Sequence, residues 1–540
     1  MTPDRLDCVI IGYNDQDFDS VLAQAEAAQD QSPIYSELKR STARFQGKRE
    51  PYMGLFNKAM SAATGRESNL HVCELPSLGV AYLTSFLRKR DFQVEYVNFF
   101  STERDKLKSL LATHPRSVAI TTTFYVESGP ISQIAEIVRE HSPDTRIIVG
   151  GPHIYNICEA VDAGTQDYLF KGVGADIFVF DSQGETALAA ILEKLRVSDM
   201  PDLSTVPNLI YSLDGGAFKH TERQIEDNDM DQNVVDWSLF PEDFYTPTVQ
   251  LRTARSCAFK CAFCRYPAVG GPLKLNSVDI VMHQLQHLKQ GGVKNVVFID
   301  DTFNVPLPRF KELCRAMIDS NLGINWYSYF RCSNSDDEAF DLMARAGCKG
   351  VFLGIESGDQ TILNNMDKYA KVEKYKNGIM NLKARDIATF CAFIVGFPGE
   401  TEQTVQNTIE FLDESAPMFF STGVFYYDNK APVGRKAEQF DLKGGGFNWR
   451  HRTMNWQGAV EQANRMYQSV QGATILPTHM FDFWSIPYLA GNGFDAKSVH
   501  GFAKIARDIL VAGLDDDKAN SPEAEQRLVS YLRNGGAPVV

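Results

Sequence analysis

Cys257, Cys261 and Cys264 fall within one short stretch, Arg255-Ser256-Cys257-Ala258-Phe259-Lys260-Cys261-Ala262-Phe263-Cys264. Thiolates at such separations can hold three corners of a cubane iron–sulfur cluster, leaving the fourth iron open to an exchangeable ligand. Structural zinc is the other chemistry that gathers thiolates. A closed zinc site needs four ligands, usually in paired short spacings. No fourth partner stands beside the trio, although His283 and His287 lie i, i+4 on a later helical stretch.

A loop that holds a cluster must itself be held, and the surrounding pattern supplies alternating strands and helices. Stretches near 249–254, 295–299, 325–330, 350–354, 389–395 and 418–425 read as strands separated by helical segments, which predicts about six β/α units. One helix is clear: Ile280, Val281, Leu285 and Leu288 share a face behind Asn276 or Ser277 as cap. Such units build a partial (β/α)6 barrel, and active sites of these barrels lie at the C-terminal ends of the strands. The trio follows the first strand directly and so belongs to that face. Upstream, strands over 7–12, 92–99, 117–121, 146–150 and 168–170 alternate with helices over 78–90, 130–140, 154–162 and 184–195. That alternation predicts an α/β, parallel, doubly wound (Rossmann-like) sheet. The stretch 198–247, with Pro201, Pro207, Pro241 and the run Glu226-Asp227-Asn228-Asp229, reads as a linker. The expected plan is a doubly wound domain over 1–197, the linker, the barrel over 248–430, and a small, mainly helical C-terminal cap over 431–540.

Bulk properties narrow the function class. A chain of 540 residues exceeds one ordinary core. The net charge of −14 gives no electrostatic reason to expect a nucleic acid partner. No window holds about 18 consecutive apolar residues, so no membrane span is expected. Met1 to Asp7 lacks the layout of a secretory signal, which predicts a cytoplasmic protein. The ten cysteines form no small-scaffold framework and are expected to be mostly reduced thiols.

The CxxxCxxC spacing, with Phe263 just before the last cysteine, resembles the signature of the radical SAM superfamily, and the likeness runs through residues 249–425. It implies a [4Fe–4S] cluster on Cys257, Cys261 and Cys264 whose open iron chelates S-adenosylmethionine (SAM). It also implies cleavage of SAM to a 5′-deoxyadenosyl radical, fed by a low-potential electron donor such as flavodoxin or ferredoxin. By the same resemblance Asp300 and Asp301, ending the second strand, contact the SAM amino group; a helix-capping pair is the alternative. Arg331 closes the third strand, and Gly354, Glu356 and Ser357 close the fourth, matching the ribose- and carboxylate-contacting segment. Ile394 and Gly396, in Ile394-Val395-Gly396-Phe397-Pro398-Gly399-Glu400-Thr401, match the adenine-contacting strand end. A strand, a Pro-Gly turn and a capped helix account for much of the same pattern.

The upstream sheet resembles the cobalamin-binding domains fused to such barrels. Gly12 ends the first strand, and Ser77-Leu78-Gly79, Gly150-Gly151-Pro152-His153 and Gly172-Val173-Gly174 follow in the order of those domains. The resemblance assigns Gly12, Ser77, Leu78, Gly79, Gly150, Gly151, His153, Gly172 and Gly174 to cobalamin. A parallel sheet offers a crevice at its strand ends, and small residues let a flat corrin ring approach the backbone. Two departures stand out: there is no Asp-x-His-x-x-Gly to supply a cobalt ligand, and Val173 replaces the usual acidic residue, with Asp176 shifted onward. His153 reads equally well as a cap of the next helix.

Two further stretches, Phe45 to Asn57 and Phe447-Asn448-Trp449-Arg450-His451-Arg452-Thr453-Met454-Asn455, resemble the phosphinothricin-pathway P-methyltransferase family. In that light Arg450, His451 and Arg452 would suit a small anionic substrate, because guanidinium forks match phosphinate or carboxylate oxygens. They also read as a solvated basic turn between Trp449 and Trp456 as core anchors. Cobalamin and a radical generator in one chain imply methylation of an unactivated phosphorus or carbon centre in a natural-product precursor. One SAM would recharge the cobalamin to methylcobalamin, and a second would give the radical that removes a substrate hydrogen. Radical rearrangement or aminocarboxypropyl transfer on the same barrel, and a non-catalytic iron–sulfur protein, are the other readings.

Overall fold

The computed structural model describes residues 5–28, 32–477, 484–514 and 521–536. Met1 to Asp4, part of the stretch read for a signal, lie outside them. The chain divides into two compact units, one of residues 1–17 and 73–245, the other of 18–72 and 246–540.

The first unit is built on strands β1 (Cys8–Tyr13), β2 (Val94–Phe99), β3 (Ser117–Thr121), β4 (Arg146–Gly150), β5 (Ile177–Val179), β6 (Leu209–Tyr211) and β7 (Lys219–His220). Their order in the sheet is β2-β1-β3-β4-β5-β6-β7. The first five are parallel, and β6 and β7 add on antiparallel. Val9, Ile11, Val118, Ile120, Ile147 and Val149 are buried in one core under the covering helices. Strands covered on both faces read as unbroken apolar runs, which is why they were legible. The order 2-1-3-4-5 reverses direction between β1 and β3, and ligands of such sheets bind beyond the strand carboxyl ends at that reversal.

One expected strand is corrected. Residues 168–170 lie inside the helix Ala163–Val173, whose N-cap Asp162 accepts from the backbone of Gly164 and Thr165. Gln166, Phe170 and Val173 are its buried residues, at helical spacing. The strand itself is Ile177–Val179. The stretch expected as a linker also differs, since it supplies β6 and β7 to this sheet.

The second unit holds a parallel sheet of β8 (Thr248–Leu251), β9 (Asn295–Phe298), β10 (Asn325–Tyr329), β11 (Cys348–Glu356), β12 (Ala388–Val395), β13 (Phe419–Val424) and β14 (Thr474–Ile475), in that order. The helix Val278–Gln290 starts as expected, with Ser277 accepting from Ile280 N–H. Side chains alternate across the curved sheet. Val351, Leu353 and Ile355 of β11 are buried, while Phe352, Gly354 and Glu356 are only partly covered; on β12, Cys391 and Phe393 are buried and Ala392 and Ile394 partly covered. With a period of two, the partly covered set lines one face of the sheet.

The expected cap is woven into this unit rather than set apart, because β14 extends the barrel sheet. Residues 18–72, grouped by the sequence with the first sheet, pack here as well. Their hairpin (Thr42–Phe45 with Lys48–Pro51) leads into the helix Tyr52–Thr64. Phe56 packs edge-on against Phe494 and Phe502, and Arg49 donates to the Gly513 carbonyl at 3.3 Å. Among the described residues no helix is long and apolar enough to cross a membrane.

Candidate active site

The cysteine loop leaves β8 and is pinned at its root. Asp300, just past β9 and buried, takes the backbone N–H of Thr253 at 2.6 Å and of Ala254 at 2.9 Å, and the Thr253 hydroxyl at 2.5 Å. Arg309 donates to the Thr253 carbonyl at 3.3 Å from the next helix. Asp300 therefore positions the loop, and both of its oxygens are engaged in doing so. Asp301, its neighbour, keeps solvent exposure, yet desolvation by the surrounding protein pushes its carboxyl up to about 6. Neither aspartate caps the following helix, whose N-cap is Pro306.

Within the loop, Cys264 N–H donates to the Cys261 carbonyl at 3.0 Å, and Cys257 Sγ lies 3.6 Å from Thr302 Oγ1. All three thiols are free of disulfides. Burial raises the Cys261 and Cys264 thiols, Cys264 to about 11; at Cys261 the charges of Lys368 and Arg331 work in the opposite direction. Among the described residues no group of three His, Cys, Asp or Glu side chains closes on a single metal ion.

A second layer grips the loop from β10 and β11. Arg331 lays its guanidinium over Phe259 at 3.7 Å and donates to the Lys368 carbonyl. Lys368 is buried, pairs with Glu356 at 2.8 Å and stands 5.4 Å from the ring centre of Phe263. Burial alone would lower its ammonium, but the adjoining carboxylate carries it above its ordinary value. At Gly354 a Cβ would meet Glu356 Oε1 at 2.5 Å, so a side chain there would have to shift the carboxylate that pairs with Lys368. Ser357 turns inward, accepting from Asp359 N–H at 3.1 Å. Lys368 was missed in the sequence because it follows a helix rather than a strand, with no spacing to single it out.

At the end of β12, Gly396 has φ +90°, and a Cβ there would meet Trp449 Cη2 at 2.5 Å and Ala459 Cβ at 2.6 Å. Its N–H donates to Glu400, whose buried carboxyl is pushed up to about 8 by desolvation. Its carbonyl accepts from His451 Nε2 at 3.1 Å. Ile394, two residues earlier, is partly covered. The basic triplet does not converge. His451 is buried and stacked on Trp449, whereas Arg450 and Arg452 are exposed on the other side of the strand Asn448–His451. This follows from the strand's two-residue period and corrects the expectation of a three-residue anion site.

In the first unit the carboxyl edge of the sheet gathers most of the expected set. A Cβ at Gly12 would collide with the Asn98 carbonyl, and one at Gly151, φ +112°, would meet Thr122 Oγ1 at 2.8 Å. Gly12 is thus small for packing as much as for a ligand. Ser77 caps the helix Leu78–Arg88, accepting from Val80 N–H, and Gly79 faces Thr121 and Thr123 across ordinary contact distance. Gly150 ends β4. His153 shares a hydrogen bond with Ser128 Oγ at 2.9 Å, and burial lowers its pKa. The loop between β3 and its helix exposes Phe124 and Val126, 50% and 84%. Apolar surface at the reversal of a doubly wound sheet, beside small residues, fits a large flat ligand such as a corrin.

Gly172 and Gly174 are elsewhere. They precede β5 and so lie at the amino edge, Gly174 as the left-handed C-cap of its helix. The residues beyond the carboxyl end of β5 are Phe180-Asp181-Ser182-Gln183-Gly184-Glu185, with Gly184 at φ +83° opening the helix Glu185–Val197. The apolar run Ile177–Phe180 ahead of Gly184 was the signal that could have found them.

Comparison with known proteins bears on both units. Residues 251–412 match the radical SAM superfamily and residues 73–191 the B12 binding domain. The second unit therefore carries a radical SAM domain. The first unit carries a cobalamin-binding domain. An uncharacterised methyltransferase of Pyrococcus horikoshii is 26% identical over 352 residues, 62% of this chain and 72% of that protein. The radical SAM methyltransferase TsrM from Kitasatospora setae, solved with cobalamin and a [4Fe–4S] cluster, shares 19% identity at a TM-score of 0.54, covering 80% of this chain and 78% of that one. It has also been solved with its substrate tryptophan and a SAM analog. The cobalamin-dependent radical enzyme OxsB, solved with aqua-cobalamin, shares 14% identity at a TM-score of 0.59, covering 98% and 75%. These two structures share the fold.

The cofactors of this radical SAM enzyme are a [4Fe–4S] cluster, SAM and cobalamin. Cys257, Cys261 and Cys264 would hold the cluster, and together the groups supply a reductively made carbon radical and a transferable methyl group. Methyltransferases stand among both its relatives and its structural neighbours.

Proposed function

We propose that the enzyme methylates an unactivated phosphorus of a phosphinate, or an unactivated carbon, in a small anionic precursor of a natural product. The observation that carries the reading is the grip on the cysteine loop at the strand ends, where Arg331 lies over Phe259 and Lys368, paired with Glu356, stands by Phe263. Asp301, Arg331 and the Glu356–Lys368 pair are the polar groups that would hold and orient SAM there. That TsrM has been solved with the small, carboxylate-bearing substrate tryptophan supports a substrate of that size.

Anaerobically reconstituted protein should bind about four irons and one corrin per chain. Given SAM with a deuterated methyl group and a panel of phosphinates and carbon acceptors, one product should gain the labelled methyl. Bound iron without corrin, or turnover of the panel with no label in any product, would reject the reading.

A further inference from the structure

Past β7 the chain runs back to the carboxyl edge of the first sheet. Arg223, three residues beyond that strand, lays its guanidinium over the ring of Phe180 at 3.6 Å and stands 5.7 Å from the ring centre of Tyr155. The two rings pack edge-on at 5.4 Å. Phe180 is the first residue past β5, and Tyr155, in the helix Pro152–Ala160, donates its N–H to the Gly151 carbonyl at 3.0 Å. These contacts seat Arg223 beside Gly150 and Gly151, at the ends of β4 and β5. Among the described residues no hydrogen bond or ion pair engages its guanidinium. The acids around it are otherwise placed. Glu226 takes the N–H of Thr186 at 2.9 Å and of Ala187 at 2.8 Å at the start of the helix Glu185–Val197. Asp181 is buried, its Oδ1 taking the Gln183 N–H at 2.9 Å, and desolvation holds its carboxyl above the usual range. Glu222, exposed next to Arg223 in the chain, and Glu159, one turn on from Tyr155, make no ion pair with it.

An arginine stacked on aromatic rings keeps its charge and its fork of donors while the rings fix its plane. Held in this way without a carboxylate, it is set to receive an oxyanion, and paired guanidinium–phosphate hydrogen bonds are among the strong ones. Cobalamin offers one such group. The periphery of its corrin carries neutral amides, and its anionic substituent is the phosphodiester of the nucleotide arm.

We infer that Arg223 anchors the phosphodiester of cobalamin's nucleotide arm, with Phe180 and Tyr155 holding the guanidinium in place. The inference rests on cobalamin occupying the carboxyl edge of the first sheet, and it adds a residue from the stretch that reads as a linker in sequence. Arg104 supplies an internal comparison. Its guanidinium also lies over a ring, Phe100 at 5.2 Å, but past the outermost strand β2 and with Glu103 and Asp105 on either side in the chain.

The test titrates the full chain, cluster-reconstituted and free of corrin, with aquacobalamin and with cobinamide, which lacks the nucleotide arm. Binding is followed by quenching of protein fluorescence and by the corrin absorbance that stays with the protein after gel filtration. Arg223→Met should weaken cobalamin binding about tenfold at low salt, the size of one lost charge-assisted contact, with a gap that narrows as salt rises. Cobinamide should bind Arg223→Met as tightly as it binds wild type. Arg104→Met should leave both affinities at their wild-type values. Equal cobalamin affinity in Arg223→Met and wild type would overturn the anchor. Equal losses with both corrinoids would also overturn it, by showing damage to the sheet edge, as would a loss confined to Arg104→Met. Binding of neither corrinoid by the wild type would reject the cobalamin site itself, and the anchor with it.

Discussion

At the scale of single residues, the site is a set of polar groups whose partners are each other. The Glu356–Lys368 pair is almost dry, with side-chain exposures of 12% and 9%. Removing one member strands a buried charge, so Lys368→Met should destabilise the second unit by about 3–5 kcal/mol in denaturant unfolding. Glu356→Gln/Lys368→Met should recover much of that loss, because neither charge remains. A double variant no better than the single one would show that Lys368 acts through packing alone. The thiol trio was legible because its residue type and spacing suffice for cluster chemistry. Asp300 was legible as important but not as an anchor, since its use of both oxygens on Thr253 and Ala254 depends on where the loop returns. Arg450, His451 and Arg452 looked like one site in sequence, and a strand's alternation separates them.

At the scale of elements, the barrel strand ends are fixed by close packing from the C-terminal residues. Gly396→Ala would place a Cβ at positive φ and into Trp449 and Ala459. It should cost about 2–4 kcal/mol and lower the melting temperature of the second unit, as positive-φ and overpacked positions do. A melting temperature within a degree or so of wild type would contradict this contact. The helix Ala496–Ala512 carries a pH response. His500 shares a hydrogen bond with Thr474 Oγ1 at 2.9 Å on β14, and burial lowers its pKa from 6.5 to about 4. It is neutral in the fold, whereas the unfolded chain takes up a proton below 6.5. Its contribution is therefore whole above pH 6.5 and is lost as pH falls from there to about 4. The loss amounts to at most about 3 kcal/mol, reduced by solvent screening. Stability of His500→Gln measured against pH should fall less steeply across that window, and an unchanged slope would remove His500 as the source. The one misplaced strand belongs to this scale too. Tyr168-Leu169-Phe170 is apolar enough for a strand, but the Asp162 cap and the burial of Gln166 and Val173 make it helical, which moved the expected glycine pair to the wrong edge.

At the scale of the whole molecule, residues 18–72 fold with 246–540 although they interrupt the first sheet's own sequence. Phe56, almost fully buried against Phe494 and Phe502, ties the excursion to the C-terminal helices. Phe56→Ala should cost about 3–5 kcal/mol. Hydrogen exchange should show lost protection in the helices Tyr52–Thr64 and Ala496–Ala512, with Cys8–Tyr13 and Val94–Phe99 unaffected. Loosening of those strands instead would place the excursion in the wrong unit. The sequence by itself determined the parallel β/α alternation of both units and the cluster chemistry, because burial on both faces and thiol spacing are written in residue types and short intervals. The tertiary structure alone decided which polar groups grip the cluster loop, which edge of the first sheet each glycine occupies, and where residues 18–72 belong. Those depend on contacts between segments far apart in the chain, and no local pattern encodes them.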